Sequence, residues 1–352
     1  MIECIFTLDY EIYGNGAGSL KDLVYEPASR LIGLFHRWDA RFVAFVEAAE
    51  LDRIEACGAD PHIDLVKTQV RDLDRAGFEI GLHLHPQWCN ASRVGGRWVL
   101  DYSEYNLCTL SAPRISAIVS GALGYLRCLV SRSHFTPLSF RAGNWLFQPT
   151  APAASILAGY GIGLDSSVFR GGLQRNHGLD YRGAPRDAYY WPFRADVTVP
   201  DPAGAWIEVP IHTEMVPSWR IPAAKRLALG NSFGGAGQSP IRRLNRALDF
   251  LRFRYPLKLD FCRMTAGQMA AMVARVIEKD RCEPGISRPI VAIGHTKDLS
   301  DIGAVDAFLA FLKANGIAVT TFRDVYPKLL QETQQAAAIS GHGHEVGTTL
   351  AS

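Results

Sequence analysis

Short, continuously apolar runs alternating with helical stretches limit this chain's fold more than any other feature. Phe42-Val43-Ala44-Phe45-Val46 and Val291-Ala292-Ile293 place no polar residue on either side of an extended backbone. That is the pattern of strands buried on both faces, which parallel sheets require. Candidate strands run Ile2–Leu8, Arg41–Val46, Phe78–His85, Leu138–Arg141, Ile162–Asp165, Trp206–Ile211, Ile290–Gly294 and Ala318–Phe322. Between them lie helical stretches at Ala28–Trp38, His62–Ala76, Pro113–Ser131, Pro152–Gly159, Pro240–Phe253, Ala266–Lys279 and Ala304–Asn315, with start signals at Thr150, Ser239 and Thr265. Strands spaced by helices build βα units, in an open doubly wound sheet or a closed barrel.

Two segments interrupt the rhythm. Residues 170–204 and 212–239, the latter with Gly234-Gly235-Ala236-Gly237, read as long loops of the kind that wall substrate sites, and with loop 86–112 they would carry substrate identity. The Gln-, Ala-, Gly- and Ser-rich stretch 331–352, including His342 and His344, reads as a disordered tail, and no internal repeat is visible. The 352 residues suffice for a large α/β core. A net charge of +2 with 20% charged residues gives no electrostatic case for nucleic acid, and no run reaches a membrane span. Seven scattered cysteines without a Cys-x-x-Cys pair point to reduced thiols. The chain opens directly on the strand Cys4-Ile5-Phe6-Thr7-Leu8, without a basic stretch followed by an apolar one, and the expectation is a cytoplasmic protein. Oligomeric state is not legible.

The chemistry gathers at strand ends, where the catalytic face of a βα fold lies. The first strand ends in Thr7-Leu8-Asp9-Tyr10-Glu11, two carboxylates on one face. The third carries His83 and His85 in Glu79-Ile80-Gly81-Leu82-His83-Leu84-His85-Pro86-Gln87-Trp88, again two apart and so on one side. Two imidazoles at a strand end can hold a metal. The fourth ends in Arg141-Ala142-Gly143-Asn144-Trp145, the fifth in Asp165-Ser166-Ser167, and the strand from Ile290 in Gly294-His295-Thr296. Singly, each has a structural explanation: a cap, an ion pair, a satisfied core histidine. Five at successive strand ends form a site.

In this order the motifs resemble the polysaccharide deacetylase family, of the NodB-homology or carbohydrate esterase 4 type. The resemblance spans about residues 1–325. It implies a single distorted (β/α) barrel of about seven to eight parallel strands over residues 1–330, with long loop insertions. It implies Asp9 as catalytic base, Glu11 as metal ligand, His83 as a metal histidine, Arg141 as the partner of the base, and His295 as general acid. Asp165 would orient a histidine or the arginine. Trp88, Asn144 and Trp145 would contact substrate, with a backbone N–H near Trp145 facing the oxyanion. The cofactor would be a divalent metal, zinc first.

Two positions depart from the pattern. Gly143 stands where proline is usual, and Gln87 stands where the second metal histidine should be. Glutamine is a poor zinc ligand beside imidazole. Three arrangements are open: His85 completes a set with Glu11 and His83, Gln87 binds weakly, or the metal site is lost. The first is favoured. The function expected is a metal-dependent hydrolase removing an acyl group, N-acetyl first, from an amino sugar or glycoconjugate precursor. The alternatives are a metal-independent or catalytically silent carbohydrate-binding protein, and a hydrolase of non-sugar amides.

Overall fold

The apolar runs become one nine-stranded sheet in the computed structural model, which describes residues 1–220, 248 and 252–345. In chain order the strands are β1 (Ile2–Tyr10), β2 (Val43–Glu47), β3 (Glu79–Leu84), β4 (Ser139–Ala142), β5 (Leu164–Asp165), β6 (Trp191–Phe193), β7 (Trp206–Glu208), β8 (Arg288–His295) and β9 (Ala318–Thr320). Their spatial order is β6-β7-β5-β4-β3-β2-β1-β8, with β9 beside the first half of β1. Every pairing is parallel except β6 with β7. Ile211, just beyond β7, bridges to Val291 of β8, and Asp260 bridges to Ile293. The sheet therefore curls until its two sides meet through isolated bridges. This is the distorted (β/α) barrel that the family resemblance implies.

Eight helices are described: α1 (Glu26–Arg37), α2 (Ala48–Ala56), α3 (Ile63–Arg75), α4 (Ala112–Leu129), α5 (Thr150–Gly159), α6 (Ala266–Cys282), α7 (Ile302–Ala314) and α8 (Phe322–Glu345). Helix α2 was not among the expected elements. The expected helix 240–253 and the glycine run 234–237 lie almost wholly outside the described residues. The stretch expected as a tail from 331 continues as helix to Glu345. The long loops carry small hairpins, Ser92–Val94 with Arg97–Val99 and Leu173–Gln174 with Leu179–Asp180. Thr213–Pro217 pairs with Arg254–Lys258. All seven cysteines are free. Among the described residues, no helix is long and apolar enough to cross a membrane.

Strand register decides what faces the interior. In β1, Phe6 points outward and packs edge-on against Phe35 of α1 and Phe308 of α7, with ring centres 5.0 and 5.8 Å away. Thr7 and Asp9 therefore point inward. Parallel partners in register share a face. Asp9 stands beside His295 of β8 and Phe45 of β2, Phe45 beside Gly81 of β3, and His83 beside Arg141 of β4. One row of strand-end residues thus points into one space. Asp165 pairs with Phe140, one step out of phase with Arg141, and points to the other side of the sheet.

Candidate active site

The interior row converges on a buried arginine. Arg141 reaches over β3 and β2, its guanidinium 4.2 Å above the Phe45 ring. Phe45 in turn fills the space left by Gly81, where a Cβ would sit 2.6 Å from the Phe45 Cδ1. The glycine of the Glu-Ile-Gly strand is thus needed for close packing. Arg141 donates to Asp9 Oδ1 at 2.6 Å, Thr7 Oγ1 at 2.9 Å, Ser166 Oγ at 3.2 Å and the Ser166 carbonyl at 2.9 Å. Burial alone would raise the Asp9 carboxyl. Arg141, His83 and His295 outweigh it and hold Asp9 below the usual carboxylate range.

Asp9, Glu11, Gly14, His83, His85, Ala142, Asn144, Trp145, His295 and Lys297 line a cleft open to solvent. Within it Glu11 divides its two oxygens. Oε2 lies 3.0 Å from His85 Nε2 and 3.5 Å from His83 Nε2. Oε1 accepts from Lys297 Nζ at 2.9 Å, and that ammonium also donates to the Ile12 carbonyl at 2.7 Å. Burial would raise the Glu11 carboxyl, but Lys297 and His85 hold it well below the usual range. Glu11 has the reciprocal effect on Lys297, raising it against burial. On the other wall, His295 Nε2 is 3.4 Å from Asp9 Oδ2, and its Nδ1 is 3.4 Å from Asp298 Oδ2. Burial outweighs these acids and pushes His295 down to about 4, so the imidazole is neutral near pH 7.

The donors fit a divalent cation. Glu11, His83 and His85 each offer an atom, all within 4.8 Å of one another. Nδ1–H of His83 donates to the Arg141 carbonyl at 2.9 Å, an acceptor that fixes the tautomer. His83 Nε2 then aims a lone pair toward Glu11 Oε2, and two electron-rich atoms face one another unless a proton or cation lies between them. Carboxylate plus two imidazoles is a zinc-type set. Asp9, Glu11 and His295 form a second group of the same compass.

The fold is shared with solved structures. A protein from Mycobacterium smegmatis described as a polysaccharide deacetylase superposes with a TM-score of 0.53 at 14% identity, over 94% of this chain and 91% of that one. A second, from Pseudomonas aeruginosa PAO1 and described likewise, gives 0.51 at 12% identity, over 95% and 92%. The fold is that of the polysaccharide deacetylases. No protein-family profile matches the sequence, and no curated protein matches it.

On this polysaccharide deacetylase fold, the expected residues separate into those at the cleft and those away from it. Asp9, Glu11, His83, His85, Asn144, Trp145 and His295 line it, with Arg141 directly behind Asp9. Trp88 does not. It is buried to 1% and packs edge-on against Trp98, ring centres 5.0 Å apart. Adjacency to the His motif made Trp88 look like a sugar platform, whereas the hairpin at 92–99 folds back to cover it. Asp165 also lies away, accepting from Ser167 N–H at 3.0 Å and Ser167 Oγ at 2.7 Å, beside Glu208. Burial raises both carboxyls, and the Asp165 charge raises Glu208 further. Asp165 shapes the turn whose Ser166 receives Arg141, and its own hydrogen bonds go to Ser167 rather than to the arginine.

Several site residues were missed. Lys297 was legible two positions beyond His295. Lys258 was not: it arrives on the hairpin strand Arg254–Lys258, Nζ 3.0 Å from the centre of the Trp145 ring. Burial pushes it down to about 7, against the pull of Asp260 and Asp9. Behind the histidines, Glu47 Oε1 accepts from His85 N–H at 2.6 Å and Glu50 Oε1 from Ile12 N–H at 2.8 Å. Burial drives both carboxyls up, Glu50 to about 8. Asn144 and Trp145 both adopt the left-handed region, φ 54° and 59°, a costly conformation for a tryptophan. The Tyr181 hydroxyl pins this turn, donating to the Trp145 carbonyl at 2.5 Å and accepting from Phe147 N–H at 3.1 Å.

Proposed function

We propose that this chain is a metal-dependent hydrolase that removes an acyl group, N-acetyl first, from an amino sugar or glycoconjugate precursor. The observation that carries this reading is the single cleft in which Asp9, backed by Arg141, faces His295 on one side and the Glu11–His83–His85 group on the other. The two structures of the same fold, both described as polysaccharide deacetylases, support it.

Glu11, His83 and His85 would hold the metal, zinc first, which when bound would polarise the acyl carbonyl and acidify a water. Asp9, kept ionised by Arg141, takes the proton of the attacking water. His295 is neutral in the free site and stands 3.4 Å from the Asp9 oxygen, so the proton taken by Asp9 passes to His295 and on to the leaving nitrogen. One proton then serves both steps, and His295 need not begin as a cation. The Trp145 face, at the cleft wall, packs a sugar ring, and Asn144 offers it a polar contact. Seven free cysteines support a reducing compartment such as the cytoplasm.

Lys297 favours a second reading, in which its ammonium on Glu11 replaces the metal and the site binds or hydrolyses without one. Protein purified without added metal, assayed for zinc content and for acetate release from N-acetylated amino sugars and simple amides, separates the two. Stoichiometric zinc, loss of turnover in chelator and loss of turnover in Asp9→Asn are expected. Turnover undiminished after complete zinc removal would overturn the metal-dependent reading.

A further inference from the structure

Gln87, which occupies the place of a metal histidine in the motif pattern, is wholly buried and does not line the cleft. It sits in the turn Pro86–Trp88, where its backbone carbonyl accepts from Asp101 N–H at 3.1 Å. Its side-chain amide lies against the edge of His85 away from Glu11: Nε2 is 3.1 Å from His85 Nδ1, while Oε1 is buried with no donor among the described residues. Asn144 Nδ2 approaches the same Nδ1 at 3.3 Å.

An NH2 group can only donate, so in this orientation His85 Nδ1 accepts and its proton sits on Nε2, donating to Glu11 Oε2 at 3.0 Å. That tautomer offers no lone pair to a cation. Turning the Gln87 amide by 180° exchanges oxygen for nitrogen without moving the chain. Oε1 then accepts from Nδ1–H, and Nε2 presents a lone pair at the point His83 Nε2 already faces. Asn144, partly buried at the cleft, can turn in the same way.

A second departure from the motif pattern supports this independently. At Gly143, where proline is usual, a Cβ would fall 2.4 Å from the Leu84 carbonyl and 2.7 Å from His85 Cγ. The His85 ring occupies the room that any side chain at 143 would need. The glycine and the histidine are one arrangement: the ring is seated against a bare backbone, and Gln87 grips its far edge.

We infer that Gln87 is not a ligand but the positioning residue that sets the His85 tautomer, so that His85 Nε2 completes a cation site with Glu11 and His83. This rests on the metal-dependent reading above. The test is zinc affinity, by competition with a chromophoric chelator, for the full chain and for Gln87→Met and Gln87→Glu, with the His85 tautomer read by long-range 1H–15N spectra. A carboxylate can only accept, so Gln87→Glu must keep the proton on Nδ1. Gln87→Met offers no acceptor and should bind zinc roughly 10–100-fold more weakly, the usual loss when a ligand histidine loses its outer partner. Gln87→Glu should retain or exceed wild-type affinity, with Nδ1–H in the zinc-bound spectrum. Wild-type affinity in Gln87→Met, or equal losses in both folded variants, would overturn the inference while leaving the metal site standing. Absence of zinc binding by the wild type would overturn both.

Discussion

Replacing Arg141 by methionine tests the electrostatic core of the site. The substitution keeps length and apolar bulk over Phe45, but removes four hydrogen bonds and the guanidinium that pairs with Asp9. Asp9 is 1% exposed, so its carboxylate is stranded away from water. Breaking a buried pair from one side costs about 3–5 kcal/mol, most of it the penalty of the uncompensated charge. The pH dependence identifies the source. In the wild type Asp9 is held below its unfolded value near ~3.9, so its stabilisation is present above that pH and lost as pH falls through the folded value. Without Arg141, burial dominates and the folded carboxyl rises. The native state then keeps a proton that the unfolded state releases, and stability falls as pH rises from ~4, by at most about 1.4 kcal/mol per unit.

The assay is urea unfolding at pH 5 and pH 7.5 in EDTA, which removes any contribution from metal binding. Adding Asp9→Asn to Arg141→Met removes the stranded charge, and should return roughly 1–3 kcal/mol at pH 7.5 and less at pH 5. The single Asp9→Asn variant completes the cycle. A deficit in Arg141→Met that does not change with pH, together with no recovery in the double variant, would refute the idea that Arg141 exists to hold Asp9 ionised.

Glu50, raised to about 8 by burial, binds a proton in the folded state that the unfolded chain releases near ~4.3. Stability from this group therefore falls between those pH values. Glu50→Gln, which mimics the protonated acid, should raise Tm over wild type more at pH 8 than at pH 5, and an equal shift at both would count against the assignment. Trp88→Ala should cost about 3–5 kcal/mol in urea melts with KM unchanged for the folded enzyme, because Trp88 is core; a selective rise in KM would return it to the substrate site. On the proposed metal-dependent reading, Gly143→Ala, which drives a Cβ into the His85 ring, should weaken zinc binding roughly tenfold by displacing that ring. Thr265 closes a capping box with Gln268 at the start of α6; Thr265→Ala should cost about 0.5–2 kcal/mol while Thr265→Ser costs little, checked by thermal melts.

The strands were legible because burial on both faces leaves a local imprint: every expected strand is found, with ends shifted by a few residues. The interior row was legible from spacing, since Asp9 and His83 lie on strands and Glu11 and His85 follow two residues on, just past the strand ends. Position at a strand end did not reveal phase between strands. Asp165 looks equivalent to Arg141 in the sequence, yet the register of β5 with β4 turns it outward and Ser166 inward. Contacts made across long separations were invisible. Trp88 is covered by Trp98 of a later hairpin, Lys258 reaches Trp145 from far along the chain, and helix α2 begins at Glu47, a residue that ends a strand and caps a helix at once.

The choice between a rerouted site and a degraded one turns on how its two departures are connected. Independent losses would leave independent defects: a gap where the second histidine should be, and slack at Gly143. Instead, the His85 ring fills the space over Gly143, its Nε2 stands 3.0 Å from the same Glu11 oxygen that His83 faces, and Gln87 lies against its outer edge. Burying two imidazoles, two site carboxylates and an arginine at or below 5% exposure costs free energy that apolar residues of similar volume would not. Glu47 and Glu50 add to that cost behind the histidines, where Glu47 accepts the His85 N–H and fixes the strand end that carries the ring. A scaffold that only bound a sugar face through Trp145 would need none of these groups. Their joint convergence on the Glu11 oxygens and on Asp9 is what the proposed reading, with a cation and a proton in the same cleft, would account for.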